Sequence, residues 1–185
     1  MPEHKVCPWW MGYVLACPIL RPGQNPGKIL SPYVREGMTT LEPGPGMGFF
    51  TLELARRVGG SGRVIAVDIQ PRMLERLKRR AAKQGLLERV ETRLAHPDSL
   101  GIEDLSGKVD FVLAFAMVHE MPSAEGFFRQ ASAAMKAGAI LLFSEPKGHV
   151  KPPAFEANIE TARRFGLCVV EKPQVSMSHA ALLQK

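Results

Sequence analysis

The 185-residue sequence has no apolar run near the ~20 residues that a membrane-crossing helix needs, no internal repeat and no low-complexity tract. Cysteine is scarce: only Cys7, Cys17 and Cys168 occur. Three scattered thiols give no disulfide framework and suit a reducing compartment. His4 with Cys7 and Cys17 matches no zinc-ligand spacing, so ordinary thiols are expected and no metal. The start of the chain, with Pro, Glu, His and Lys in its first five positions, lacks the basic-then-apolar layout of a secretory leader. These absences predict a soluble cytoplasmic protein, and 45% hydrophobic with 23% charged residues fits one globular domain.

Two further absences are more specific. No lysine lies between Lys28 and Lys78, which excludes a phosphate-binding P-loop ending in Gly-Lys-Ser/Thr. Glycine is missing at position 49, where the dinucleotide fingerprint G-x-G-x-x-G would need it and Phe49 stands instead.

The formal net charge is +6. Much of it comes from Arg72, Arg76, Lys78, Arg79, Arg80 and Lys83, which read as the solvated face of one helix. Contact with nucleic acid is permitted by this balance but not favoured. Both tryptophans and six prolines, at 2, 8, 18, 22, 26 and 32, fall in the first three dozen residues. Residues 1–37 therefore read as an arm, and 38–185 as the domain proper.

From Met38 onward strands and helices alternate. Strands are expected at Thr39–Glu42, Val64–Asp68, Val90–Leu94, Asp110–Ala116, Ala139–Ser144, Leu167–Glu171 and Ser178–Leu183. Helices are expected at Phe50–Val58, from Pro71 to Gly85, at Ser123–Lys136 and at Ala154–Phe165. The pattern predicts a doubly wound α/β sheet, mostly parallel, with right-handed crossovers. The last two strands are too close for a helical crossover and should pair antiparallel. Such a sheet binds its ligand at the carboxyl ends of the strands, beside the first.

The stretch Leu41-Glu-Pro-Gly-Pro-Gly-Met-Gly-Phe49 occupies that place. Gly44 and Gly46 allow positive φ and a close approach of backbone to ligand, and Gly48 permits close packing at the helix start. Glu42 precedes them; a carboxylate would repel a pyrophosphate but suits a positively charged sulfonium cofactor. Asp68 ends the second strand, 26 residues after Glu42, where it can accept both hydroxyl hydrogens of a ribose.

On these residues the sequence from Met38 resembles class I S-adenosylmethionine-dependent methyltransferases of the small-molecule type. The resemblance implies a Rossmann-like seven-stranded sheet with an antiparallel final strand. It places S-adenosyl-L-methionine against Glu42, Gly44, Gly46, Gly48, Asp68, Ile69 and Phe115. Where the family often has Gly-Asp-Ala after the third strand, this chain has Leu94-Ala-His-Pro-Asp-Ser-Leu100. Asp98 is expected at the adenine, with His96 or a capping role for Asp98 as alternatives.

The acceptor side is less constrained. His119-Glu120 after the fourth strand resembles the His-Glu pair of several small-molecule methyltransferases, and either residue can act as base. Glu145 and His149 after the fifth strand are expected near substrate polar groups. Trp9, Trp10 and Tyr13 are expected to cover the site and line the acceptor pocket. The function read from the sequence is methyl transfer to a small molecule by a monomer or homodimer. RNA methylation and non-catalytic cofactor binding remain the alternatives.

Overall fold

The computed structural model describes residues 23–185. Seven strands form one sheet: β1 (Thr39–Pro43), β2 (Arg63–Asp68), β3 (Val90–Leu94), β4 (Val109–Phe115), β5 (Met135–Pro146), β6 (Cys168–Glu171) and β7 (Ser178–Gln184). Their order is β3-β2-β1-β4-β5-β7-β6. The first five run parallel, whereas β7 inserts antiparallel between β5 and β6. The order reverses beside β1, which creates the crevice where such sheets bind ligands.

Strand alternation sends side chains to two cores. On one face Leu41, Val67, Val112, Leu141 and Phe143 pack against α4 (Ala124–Ala134) and α5 (Pro152–Arg163). On the other, Val64, Ala66, Phe111 and Leu142 pack against α1 (Pro26–Leu30), α2 (Thr51–Arg57) and α3 (Pro71–Lys83). Both faces are covered, which is why the central strands read as unbroken apolar runs. Among the described residues no helix is long and apolar enough to cross a membrane.

Part of the expected arm belongs to this core. Asn25 caps α1 through its Oδ1, which accepts the Lys28 N–H at 3.1 Å, and Leu30 and Val34 are buried beside α2. Two helix boundaries also differ from expectation. The helix expected to run to Lys136 stops at Ala134, because Met135 is already extended and pairs with Val109. Lys136 then reaches Asp110 of β4 at 2.5 Å, so helix and strand join without a loop. α5 begins at Pro152 rather than Ala154; proline fits the first helical turn, where its missing N–H costs nothing.

Candidate active site

The carboxyl ends of β1, β2, β3 and β4 surround a cavity of about 340 Å³. The loop from Gly44 to Gly48 forms one wall and leads into α2. Gly44 donates its N–H to the Val67 carbonyl at 2.8 Å, which pins the loop to β2. Gly46 has φ +53°, and a Cβ there would meet nothing within 4 Å, so the backbone is open toward the cavity it lines. Gly48 is the opposite case: its Cβ would collide with Leu77 of α3. Three residues along α3, the Arg80 guanidinium donates to the Met47 carbonyl at 2.5 Å. Partial burial lowers the Arg80 pKa, yet the loop carbonyl gains a charged donor. Arg80→Met should weaken cofactor binding about tenfold, roughly the loss of one charge-assisted hydrogen bond. Calorimetric titration beside a thermal melt checks this; unchanged affinity would remove Arg80 from the loop's support.

Two carboxylates adjoin the loop. Glu42 is 4% exposed, and its Oε2 has no hydrogen-bond partner among the described residues. Burial lifts its pKa from 4.5 to about 8, opposed by the Thr51 hydroxyl and reinforced by the Asp68 charge. Asp68 ends β2, lines the cavity and accepts the Gln70 N–H at 2.9 Å. Burial raises its pKa to about 6 against hydrogen bonds from the Gln70, Gly46 and Ile69 backbone, and Glu120 adds to the rise. Lysine and arginine are absent from the cavity wall among the described residues. An unpartnered buried carboxyl oxygen, an open glycine and an Asp at the wall fit a cationic ligand carrying hydroxyl donors.

The sign of the Glu42 shift sets a stability prediction. Folded Glu42 keeps its proton up to about pH 8, while the unfolded chain loses it near 4.5. The native state therefore binds more protons in that window, and stability falls as pH rises through it. Glu42→Gln should flatten that slope, gaining on the parent most at pH 8. Urea midpoints measured at pH 5 and 8 test it; parallel slopes for both proteins refute it.

The opposite wall comes from the turn after β4. Ala116 has φ +56°, a conformation that non-glycine residues seldom hold and that clusters at functional sites. Its N–H donates to Ser144 of β5 at 2.7 Å. The single helical turn Val118–Glu120 follows. Glu145, fully buried at the end of β5, accepts the N–H groups of Val118 (2.9 Å) and His119 (3.3 Å) through Oε1. Its Oε2 holds His119 Nδ1 at 2.5 Å. His119 Nε2 lies 3.3 Å from His149 Nδ1 and 3.9 Å from Glu120 Oε1. Burial lowers the His119 pKa, but the Glu145 hydrogen bond and the charges of Glu145 and Glu120 outweigh it, so the net shift is upward. A carboxylate on Nδ1 fixes the proton there and leaves Nε2 as the accepting atom of the neutral ring.

A family model described as a methyltransferase domain matches residues 34–175. The chain belongs to that family. It is similar to a ubiquinone biosynthesis O-methyltransferase from Methylocella silvestris, 31% identical over 128 residues, covering 68% of this chain and 46% of that protein. An arsenite methyltransferase from Halobacterium salinarum is 31% identical over 109 residues, covering 59% of this chain and 27% of its own length. This chain thus spans less than half the length of either curated relative. In three dimensions it is similar to a SAM dependent methyltransferase from Aquifex aeolicus, with TM-score 0.84 and 23% identity over 96% of this chain and 98% of that one. The fold is therefore the Rossmann-like one of S-adenosylmethionine-dependent methyltransferases, and S-adenosylmethionine is the cofactor of the class.

Within this methyltransferase domain the expected cofactor residues separate. Gly44, Gly46, Asp68 and Ile69 line the cavity. Glu42 lies next to lining residue Pro43 without reaching the wall, and Gly48 packs on α3. Phe115 packs against Phe50, ring centroids 4.4 Å apart, outside the wall. Asp98 is exposed in the tight turn closed by the reciprocal His96–Ser99 backbone bonds, and Ala95, His96 and Pro97 line the cavity in its place. On the acceptor side Glu120 faces the cavity; His119, Glu145 and His149 form a row beside it. Glu145 is sealed behind His119 rather than presented to substrate. Trp9, Trp10 and Tyr13 lie outside the described residues. Sequence reasoning missed Met117 and Met121 on the wall, and Arg80, one of six basic residues on α3 assigned to solvent.

Proposed function

We propose that this domain transfers the methyl group of S-adenosylmethionine to a small molecule in the cytoplasm. The observation that carries the reading is the Glu145–His119 pair at 2.5 Å, standing beside Glu120 on the cavity wall. Bound at the loop, the cofactor supplies an activated methyl carbon. The domain's residues do the rest. Glu42 sets a buried carboxyl group beside the loop, Asp68 receives the ribose hydroxyls, and the open backbone at Gly46 admits the ligand closely. Glu145 orients His119 so that Nε2 takes the proton an acceptor loses. Ala116 and Met117 set the angle of approach. Alignment of this kind supplies ~7–11 kcal/mol in favourable systems, more than a single base provides.

The test is transfer of radiolabelled methyl into a cell metabolite extract, with Asp68→Ala as the control. Label in a product made only by the parent protein supports the reading and identifies the acceptor. Absence of label in every fraction, while calorimetry shows the cofactor bound, refutes methyl transfer.

A further inference from the structure

The row that begins with Glu145 does not end at His119. His119 Nε2 lies 3.3 Å from His149 Nδ1, with the ring centroids 5.2 Å apart and the planes at 71°. Burial falls along this row: Glu145 is fully buried, the His119 side chain is 19% exposed, and His149 is exposed. His149 is also held in place. It follows β5 in a turn closed by the His149 and Val150 N–H groups, which donate to the Pro146 carbonyl at 3.0 and 2.9 Å. The Lys147 N–H donates to the Met177 carbonyl beside β7, and Val150 anchors the far end of the turn in the core. His149 does not line the cavity, and neither cofactor binding nor proton abstraction by His119 uses it.

Resting on the methyl-transfer reading above, we propose that His149 is the outer member of a proton relay, through which the proton taken by His119 leaves for water. The need for one follows from the pair itself. Once protonated, His119 is an imidazolium against a buried carboxylate. Burial alone would loosen its proton, but Glu145 and Glu120 hold it more firmly than in an ordinary histidine. The base must shed that proton before it can serve again. The inward side is closed, because Glu145 already holds Nδ1 with one oxygen and two N–H groups with the other. Glu120 Oε1, 3.9 Å from Nε2, is beyond hydrogen-bond reach. His149 Nδ1 is within it, and histidine is the side chain that trades protons near neutral pH. The step balances. The acceptor's proton goes to His119 Nε2 while its electron pair forms the bond to the methyl carbon, and the carbon–sulfur pair stays with sulfur. The positive charge that sulfur loses equals the one proton released. That proton passes from Nε2 to His149 Nδ1 as the proton on His149 Nε2 leaves for water. The titratable or charged groups on the elements that meet the two rings are Glu145 on β5, Lys147 in the turn, Glu120 after β4 and, paired with Glu145 across the strands, His179 on β7. Among the described residues no three His, Cys, Asp or Glu side chains gather as metal ligands do.

Two measurements on the full-length protein test the relay. The first needs no acceptor. With histidine labelled by nitrogen-15, the ring nitrogens of His119 and His149 are followed by NMR from roughly pH 5 to 9. Hydrogen-bonded imidazoles share a first proton and resist a second, so the pair should show two apparent pKa values at least about one unit apart. His149→Gln should leave His119 with a single titration, moved by at least about half a unit. Independent titration of the two rings in the parent, or an unmoved His119 curve in the variant, overturns the relay, and the parent curves decide even where the variant misfolds. The second measurement uses the radiolabel assay. His149→Ala should transfer label about tenfold more slowly, a smaller loss than that of the base itself, and added imidazole should restore the rate. A packing role would not be restored by a free base in solution. Parent-like turnover in His149→Ala, or a loss that imidazole leaves in place, overturns the relay while methyl transfer stands. No label from the parent protein removes the underlying reading, and the relay with it.

Discussion

Gly46→Val abolishes binding of S-adenosylmethionine, by at least a hundredfold in affinity, and leaves the fold standing. Two features of position 46 produce this split. A Cβ there meets nothing within 4 Å, so no core contact is lost or crowded. The cost to the fold is the left-handed backbone, φ +53°, which a β-branched residue holds at roughly 1–3 kcal/mol. The added side chain instead projects from a residue that lines the cavity, into space the ligand needs. Gly48→Ala is the informative contrast, since its Cβ drives into Leu77 of α3, and its damage should appear in the melting temperature. Calorimetry and thermal melts on both variants separate the roles. Parent-like affinity in Gly46→Val would sink the assignment of this cavity to the cofactor.

His119→Ala is expected to lower kcat by about 10²–10⁴-fold on the acceptor that the labelling experiment identifies, with cofactor affinity retained. Glu145→Gln provides the finer test, because it keeps the shape of the hydrogen bond and removes the charge. Glu145 and Glu120 raise the His119 pKa, so the base is free only above a pH higher than that of an ordinary histidine. Without the Glu145 charge the pKa falls, and the acid limb of the kcat/KM profile moves to lower pH. Because the glutamine can also hold the wrong tautomer, the plateau drops as well. A limb that stays put in Glu145→Gln would show that His119 does not set it. The same pair contributes to stability with the opposite pH sense. Its contribution is complete below the unfolded histidine pKa and fades as pH rises through the raised folded value.

Much of this was legible in the sequence because it depends on local chemistry. The glycines after Glu42 marked the loop, and Asp68 marked the end of β2. The spacing of Met73, Leu74, Leu77 and Ala81 marked the buried face of α3. Pairing of the last two strands followed from the short link between them. What was illegible depends on partners distant in sequence. Arg80 reads as another solvated cation until the fold brings Met47 beside it, 33 residues away. Glu145 reads as a loop carboxylate until the turn after β4 delivers Val118 and His119 to it. Asp98 reads as a residue facing the crevice, whereas the bridge between His96 and Ser99, which nothing in Ala95-His-Pro-Asp-Ser99 announces, leaves it exposed. The end of α4 was missed because apolar Met135 continues a helical spacing as readily as it starts a strand.

The insertion of β7 also constrains how the sheet assembles. β6 touches the rest of the sheet only through β7, which pairs along Ile140–Pro146 of β5 on its other side. β6 has no strand of the sheet to pair with until β7 is in place. The short link from Lys172 to Met177 lets β6 and β7 meet first as a hairpin, at low loop-closure entropy, and then dock as a unit. The amides of β7 should therefore exchange with solvent as slowly as those of β4, while β6, which pairs with β7 alone among the described strands, opens earlier. A late-docking hairpin is also the piece most readily traded between two copies of the chain, so the β5 edge is where misassembly would begin.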